Sequence, residues 1–153
     1  MKIILLLLLL TPTAFAYQVE EYKGLQVTHE IGLCPEWASA CYYHESNNVN
    51  MEIWRWPLQY KRILDHEYAH HVHITLMSEK HKALWVKVTN KEIMLPILKK
   101  HSLNSTIEFA GWYASASIYE DFAESAYRRH NGELTSYLDL KILVAKYLLA
   151  QYN

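Results

Sequence analysis

The chain has 153 residues and a formal net charge of −1, and its 15 basic and 16 acidic residues show none of the basic excess that a nucleic-acid face needs. At 51% hydrophobic, with four Gly and four Pro, it suits one packed core and is too short for two, with little room for linkers or disorder. Twelve Tyr and five Trp point to amphipathic surfaces on a compact body.

In chain order, Met1-Lys2 is followed by the apolar run Ile3–Leu10, a Thr11-Pro12-Thr13 break and the small-x-small pattern Ala14-Phe15-Ala16. This reads as a secretory signal peptide cleaved after Ala16. The run is far shorter than the roughly 20 residues a spanning helix needs, so no stable membrane insertion is expected. The expectation is a single domain over 17–153, secreted or periplasmic and monomeric.

Residues 17 to about 55 read as β. Leu25–Ile31 alternates apolar and polar residues, as do Ala40–His44 and, after the Ser46-Asn47-Asn48 turn signal, Val49–Trp54, so the last two should form a hairpin. Cys34 and Cys41 flank Pro35–Ala40. In an exported chain an even count favours a disulfide, here a local staple worth no more than about 3 kcal/mol.

Pro57 suits a first helical turn, and Leu58 to about Ser78 keeps helical spacing without Gly or Pro. A shorter helix is expected around Lys91–Lys100, with Pro96 as an irregularity. Ser117–His130 reads as helix closed by Asn131-Gly132. Leu134–Ala150 reads as an amphipathic helix with Leu134, Leu138, Ile142, Ala145 and Leu149 on one stripe. Strands first and helices after predict an α+β domain.

The chemistry concentrates at His66-Glu67-Tyr68-Ala69-His70. On a helix, His66 and His70 emerge one turn apart on one face. There two ring nitrogens can meet one Zn²⁺ at about 2.0–2.1 Å. Glu67 beside them is placed to act as general base toward a metal-activated water. Ile63, Leu64, Tyr68, Ala69 and Val72 suit a buried helix. His71 and His73 read as solvated or packed side chains. His73 lies seven residues beyond His66, too far along the axis for one ion to take all three. The metzincin continuation is excluded, because its Gly position is His73 and its final His position is Leu76.

A third ligand must come from elsewhere, leaving a fourth position open. The segment 112–124 offers Glu120, Asp121 and Glu124. Glu120 and Glu124 share a helix face, so one could bind the ion while the other orients a histidine. Ser117-x-x-Glu120 also spells a capping box, in which Glu120 would fold back on the helix start.

HExxH followed by a helical glutamate resembles the gluzincin zinc metallopeptidases. Tyr113 with Glu120-Asp121-Phe122-Ala123-Glu124 is similar to the second half of the active site in the anthrax lethal factor catalytic domain and related small secreted peptidases. The resemblance implies a zincin-like domain holding one Zn²⁺ on His66, His70 and Glu120. It implies Glu124 as the companion of a ligand and Tyr113 as the oxyanion donor. It also implies peptide or protein substrates laid along an edge strand of the 40–54 hairpin. It covers the two motif segments and the order of elements, and nothing between His73 and Trp112. The expected activity is hydrolysis of peptide bonds. Rival readings are a zinc-stabilised secreted binding protein without turnover, and a metal-free interaction module.

Overall fold

The hairpin that opens the fold is made by its turn. Lys23 and Gly24 both adopt positive φ (51° and 81°), the tight two-residue geometry that returns Val19–Tyr22 (β1) antiparallel against Leu25–His29 (β2) with Tyr22 facing Leu25. In the computed structural model, residues 19–52, 57–104, 109–111, 113–130 and 133–153 are described. The expected signal peptide and its cleavage point after Ala16, the strand end at Ile53-Trp54, Trp112 and the Asn131-Gly132 stop lie outside the described residues.

Ala40–Tyr43 (β3) and Asn48–Met51 (β4) form the second hairpin, with Asn47 at φ 50° closing its turn. β4 inserts beside β2 in parallel, so the sheet is mixed, in the order β1-β2-β4-β3. The period-2 pattern turns Leu25, Val27, Val49 and Met51 into the core. Each such buried side chain contributes about 1.5–3 kcal/mol. β3 is an edge strand. Because the Ser39 carbonyl accepts from Glu52 N–H at 3.1 Å, the alternation of the ladder turns the backbone groups of Ala40 and Tyr42 to the side away from β4.

Helices follow the sheet, giving the expected α+β architecture. Pro57–His71 (α1) packs against β3 and passes into a π-helical turn at Val72–Leu76, whose wide bond runs from Met77 N–H to Val72 C=O at 2.7 Å. The helix expected to reach Ser78 therefore ends earlier. Met77 is extended, and the Ser78 hydroxyl instead caps a new helix, Glu79–Thr89 (α2), by accepting from His81 N–H at 3.3 Å. The next helix is Leu95–Lys100 (α3). Pro96 sits in its first turn, where a missing N–H costs nothing, rather than interrupting it.

A single 3₁₀ turn at Tyr113–Ser115 leads into Ile118–Tyr127 (α4), and Tyr137–Ala150 (α5) closes the fold. α5 starts later than the apolar pattern suggests, since Ser136 caps it; Leu134 precedes the helix and is exposed, while Ile142, Ala145 and Leu149 are buried. Trp85 of α2 is fully buried, stands edge-on to Phe122 at 5.3 Å and donates from Nε1 to Ile118 C=O at 3.2 Å. Tyr137 ties α5 to the end of α2 through Val88 C=O at 2.7 Å. These contacts tie α2, α4 and α5 together, and α4 also packs across α1, a crossing that builds the site.

Candidate metal centre

Three ligand atoms converge where α4 crosses α1. The one-turn spacing of His66 and His70 brings their Nε2 atoms to 3.1 Å. From the first turn of α4, Glu120 Oε2 reaches to 3.0 Å from His66 Nε2 and 3.3 Å from His70 Nε2. Three ligands of one tetrahedral ion at bond lengths of about 2.0–2.1 Å stand about 3.3 Å apart, so the triangle has the size such an ion needs. Among the described residues this trio is the group of His, Cys, Asp and Glu side chains that could hold a metal ion.

The proton inventory points the same way. His66 Nδ1 faces Glu124 Oε1 at 3.3 Å. If the ring donates there, a neutral imidazole presents only a lone pair at Nε2, aimed at a carboxylate oxygen and at a second imidazole nitrogen. A neutral His70 can donate to that lone pair, but the 3.0 Å approach of His66 Nε2 to Glu120 Oε2 sets acceptor against acceptor unless a proton or a metal lies between them. Without metal the ring takes the proton. Burial works against its charge, but the Glu120 and Glu124 carboxylates prevail and push the His66 pKa up to about 10. Glu120 shows the reverse: burial would raise its pKa, yet the hydrogen bonds to His66 and His70 hold it at about 2.

The cap-or-ligand alternative at Glu120 separates cleanly by atom. Ser117 Oγ accepts from the Glu120 backbone N–H at 3.1 Å, capping α4, while the Glu120 carboxylate leaves for the histidines. The reciprocal half of a capping box is completed at Ser136 and Asp139 of α5 instead. Asp121, about a third of a turn around α4 from Glu120, turns away to a buried ion pair with Lys141 at 2.7 Å.

Glu67 is buried beside the trio without joining its ligand atoms. Burial raises its pKa against the pull of His70 and His66, and its carboxylate accepts the outward backbone N–H of Tyr42 on the edge strand. Tyr113 lies with its ring 6.2 Å from that of His66 and its hydroxyl bonded to Glu120. Burial, then Glu120, pushes that phenol up to about 12. His71 and His73 are both packed. His71 Nδ1 meets the Tyr42 hydroxyl at 2.9 Å, and His73 lies against Tyr119 and Phe122 at 5.1 and 4.9 Å.

Two residues near the site carry no sequence signal of their own. Tyr42 reaches Glu67 by its backbone and His71 and Thr75 by its hydroxyl, contacts that exist only once β3 lies beside α1. Trp37 stands edge-on to Tyr113 at 5.9 Å. Cys34 and Cys41 form the expected disulfide, with Cα atoms 5.7 Å apart. No protein-family model, curated protein or solved structure matches the chain.

Proposed function

We propose that this chain is a secreted, zinc-dependent metallopeptidase of gluzincin type that hydrolyses peptide bonds. The observation that carries the reading is the convergence of His66 Nε2, His70 Nε2 and Glu120 Oε2 beside a buried, non-ligating glutamate. Two imidazoles and one carboxylate, three donors that would leave a tetrahedral ion one position for water, are a donor set suited to catalytic zinc. When bound, the ion supplies a Lewis acid that polarises a substrate carbonyl and eases loss of a proton from water.

The protein's own groups account for the rest. Glu67, its affinity for a proton raised by burial, takes one from the attacking water and returns it to the departing amine. The new C–O bond and the broken C–N bond thereby balance as hydrolysis. Tyr113, held protonated by burial and by its carboxylate neighbours, donates to the carbonyl oxygen as charge collects there. Glu124 fixes the tautomer of His66 so that Nε2 faces inward. Export rests on the character of residues 1–16 and on the Cys34–Cys41 bridge, which suits an oxidising compartment.

Two measurements test this. Purified folded protein should retain close to one equivalent of zinc, and less than about half would remove the metal from the proposal. The zinc-loaded parent should cleave members of a broad peptide library, with Glu67→Gln reducing turnover by at least about a hundredfold. Zinc binding with no cleavage by either protein would leave a zinc-stabilised binding protein instead.

A further inference from the structure

The loop between β2 and β3, residues 30–39, is braced far more heavily than a connection needs. Its Cys34 is bridged to Cys41 of β3. Glu52, itself buried, takes the N–H of Gly32 at 3.2 Å and of Cys34 at 3.3 Å on its carboxylate. Asn50 Nδ2 donates to Glu30 C=O at 2.9 Å, and the Tyr43 hydroxyl donates to Leu33 C=O at 2.6 Å. Gly32 at φ +85° supplies a left-handed bend that other residues would resist.

Yet this fixed loop holds apolar side chains out in water: Trp37 is 69% exposed, Ile31 63% and Leu33 47%. Rigidity does nothing for exposed apolar side chains unless something binds them, and a pre-ordered surface binds at lower entropic cost.

The place of Trp37 says what that something is. Its indole lies edge-on to Tyr113 at 5.9 Å, and Tyr113 lies 6.2 Å from His66. The indole is therefore one ring removed from the metal trio. It also comes just before Ala40, the first β3 residue whose backbone groups point away from β4. An extended peptide following that edge past the trio would bring a side chain against the indole.

We propose that Trp37, on its braced loop, is the specificity-determining residue of the site and receives a large apolar or aromatic side chain flanking the bond to be cut. This rests on the peptidase reading and narrows its substrates to peptides with such a residue beside the scissile bond. The indole stays exposed until substrate covers it, and the disulfide and Glu52 keep it in place.

The test uses the zinc-loaded full chain carrying Glu67→Gln, and two capped heptapeptides of alanine that differ only in a central Phe or Ser. Calorimetric titration should show the Phe peptide binding about tenfold or more tightly, the size expected for covering one aromatic side chain. Adding Trp37→Ala should bring the two peptides within about twofold, while Trp37→Phe should keep most of the preference. With Glu67 intact, Trp37→Ala should raise KM for the Phe peptide with little change in kcat. Equal binding of the two peptides, or a preference that survives Trp37→Ala, overturns the proposal. So does Trp37-dependent binding to phosphatidylglycerol vesicles without any peptide preference, which would make the loop a membrane contact. The peptidase reading fails separately: a Trp37-dependent Phe preference in binding, with no cleavage by the parent, leaves the recognition wall standing on a non-catalytic protein.

Discussion

Ser117 and Glu120 are joined by a helix cap that uses only the Glu120 backbone: the Ser117 hydroxyl accepts that N–H at 3.1 Å, and the Glu120 carboxylate is left to face His66 and His70. Stability and the proposed metal binding thereby fall to different atoms of one residue. Ser117→Ala should cost about 1 kcal/mol of stability while zinc stoichiometry stays the same. Glu120→Gln keeps the cap and removes the anionic ligand. It should weaken zinc binding by more than the roughly 10–100-fold that loss of an outer hydrogen-bond partner costs. Denaturant melts and competition with a chromophoric chelator read the two effects. If Ser117→Ala loses zinc as severely as Glu120→Gln, the division is wrong.

In the proposed centre, Glu124 would act on the ion through His66. Its carboxylate lies 3.3 Å from Nδ1, on the side of the ring away from the trio. Glu124→Ala frees the ring to choose its tautomer and rotamer, so zinc affinity should fall by about 10–100-fold with stoichiometry preserved at saturating zinc. Glu124→Gln keeps an acceptor and should fall less. An affinity unchanged in Glu124→Ala, measured with the same chelator, would leave the contact without a role in the site.

What could be read in advance follows how local each interaction is. His66, Glu67 and His70 lie within five residues of one helix, so spacing alone places both imidazoles on one face. Glu120 needed α4 to cross α1, and spacing favoured it while leaving Asp121 and Glu124 as alternatives; only the buried Lys141 shows why Asp121 faces elsewhere. The alternating strands were legible, but the parallel pairing of β2 with β4 was not, because alternation fixes a strand's faces and says nothing of its neighbours. The separation of α1 from α2 has no Gly or Pro to announce it. A Ser78 cap and the π turn make the break, and a serine alone is a weak signal.

The Asp121–Lys141 pair carries a stability prediction. Both side chains are buried, with Lys141 Nζ 2.7 Å from Asp121 Oδ1 and 4.9 Å from the centre of the Phe109 ring. Burial raises the carboxyl pKa and lowers the ammonium pKa, and the attraction between the two offsets part of that cost. Lys141→Met strands the carboxylate and should lose about 3–5 kcal/mol. The double variant Asp121→Leu/Lys141→Met removes both desolvation costs and should recover most of that loss. Urea unfolding of the three proteins decides it; additive losses in the double variant would show that the pair is not an interacting unit.

Asp139 ties the start of α5 to pH. Its Oδ2 accepts from Thr135 N–H at 3.0 Å, Thr135 Oγ1 at 2.8 Å, and both Ser136 N–H and Oγ at 2.9 Å. Burial alone would raise the carboxyl pKa, but these donors outweigh it and hold the pKa below the ordinary value. Among the ionisable groups around it, His130 Nε2 stands 3.4 Å from Oδ1, and Arg128 and Arg129 line the same pocket. A folded-state pKa below the unfolded one stabilises the fold above the unfolded value of about 4, and that contribution is lost as pH falls through the folded value. Asp139→Ala should therefore cost about 1–2 kcal/mol at pH 7, and its deficit relative to the parent should shrink steadily below about pH 4. The measurement is guanidinium unfolding of both proteins at a series of pH values. A deficit that stays constant down to pH 2.5 would mean the carboxylate charge contributes nothing to holding α5.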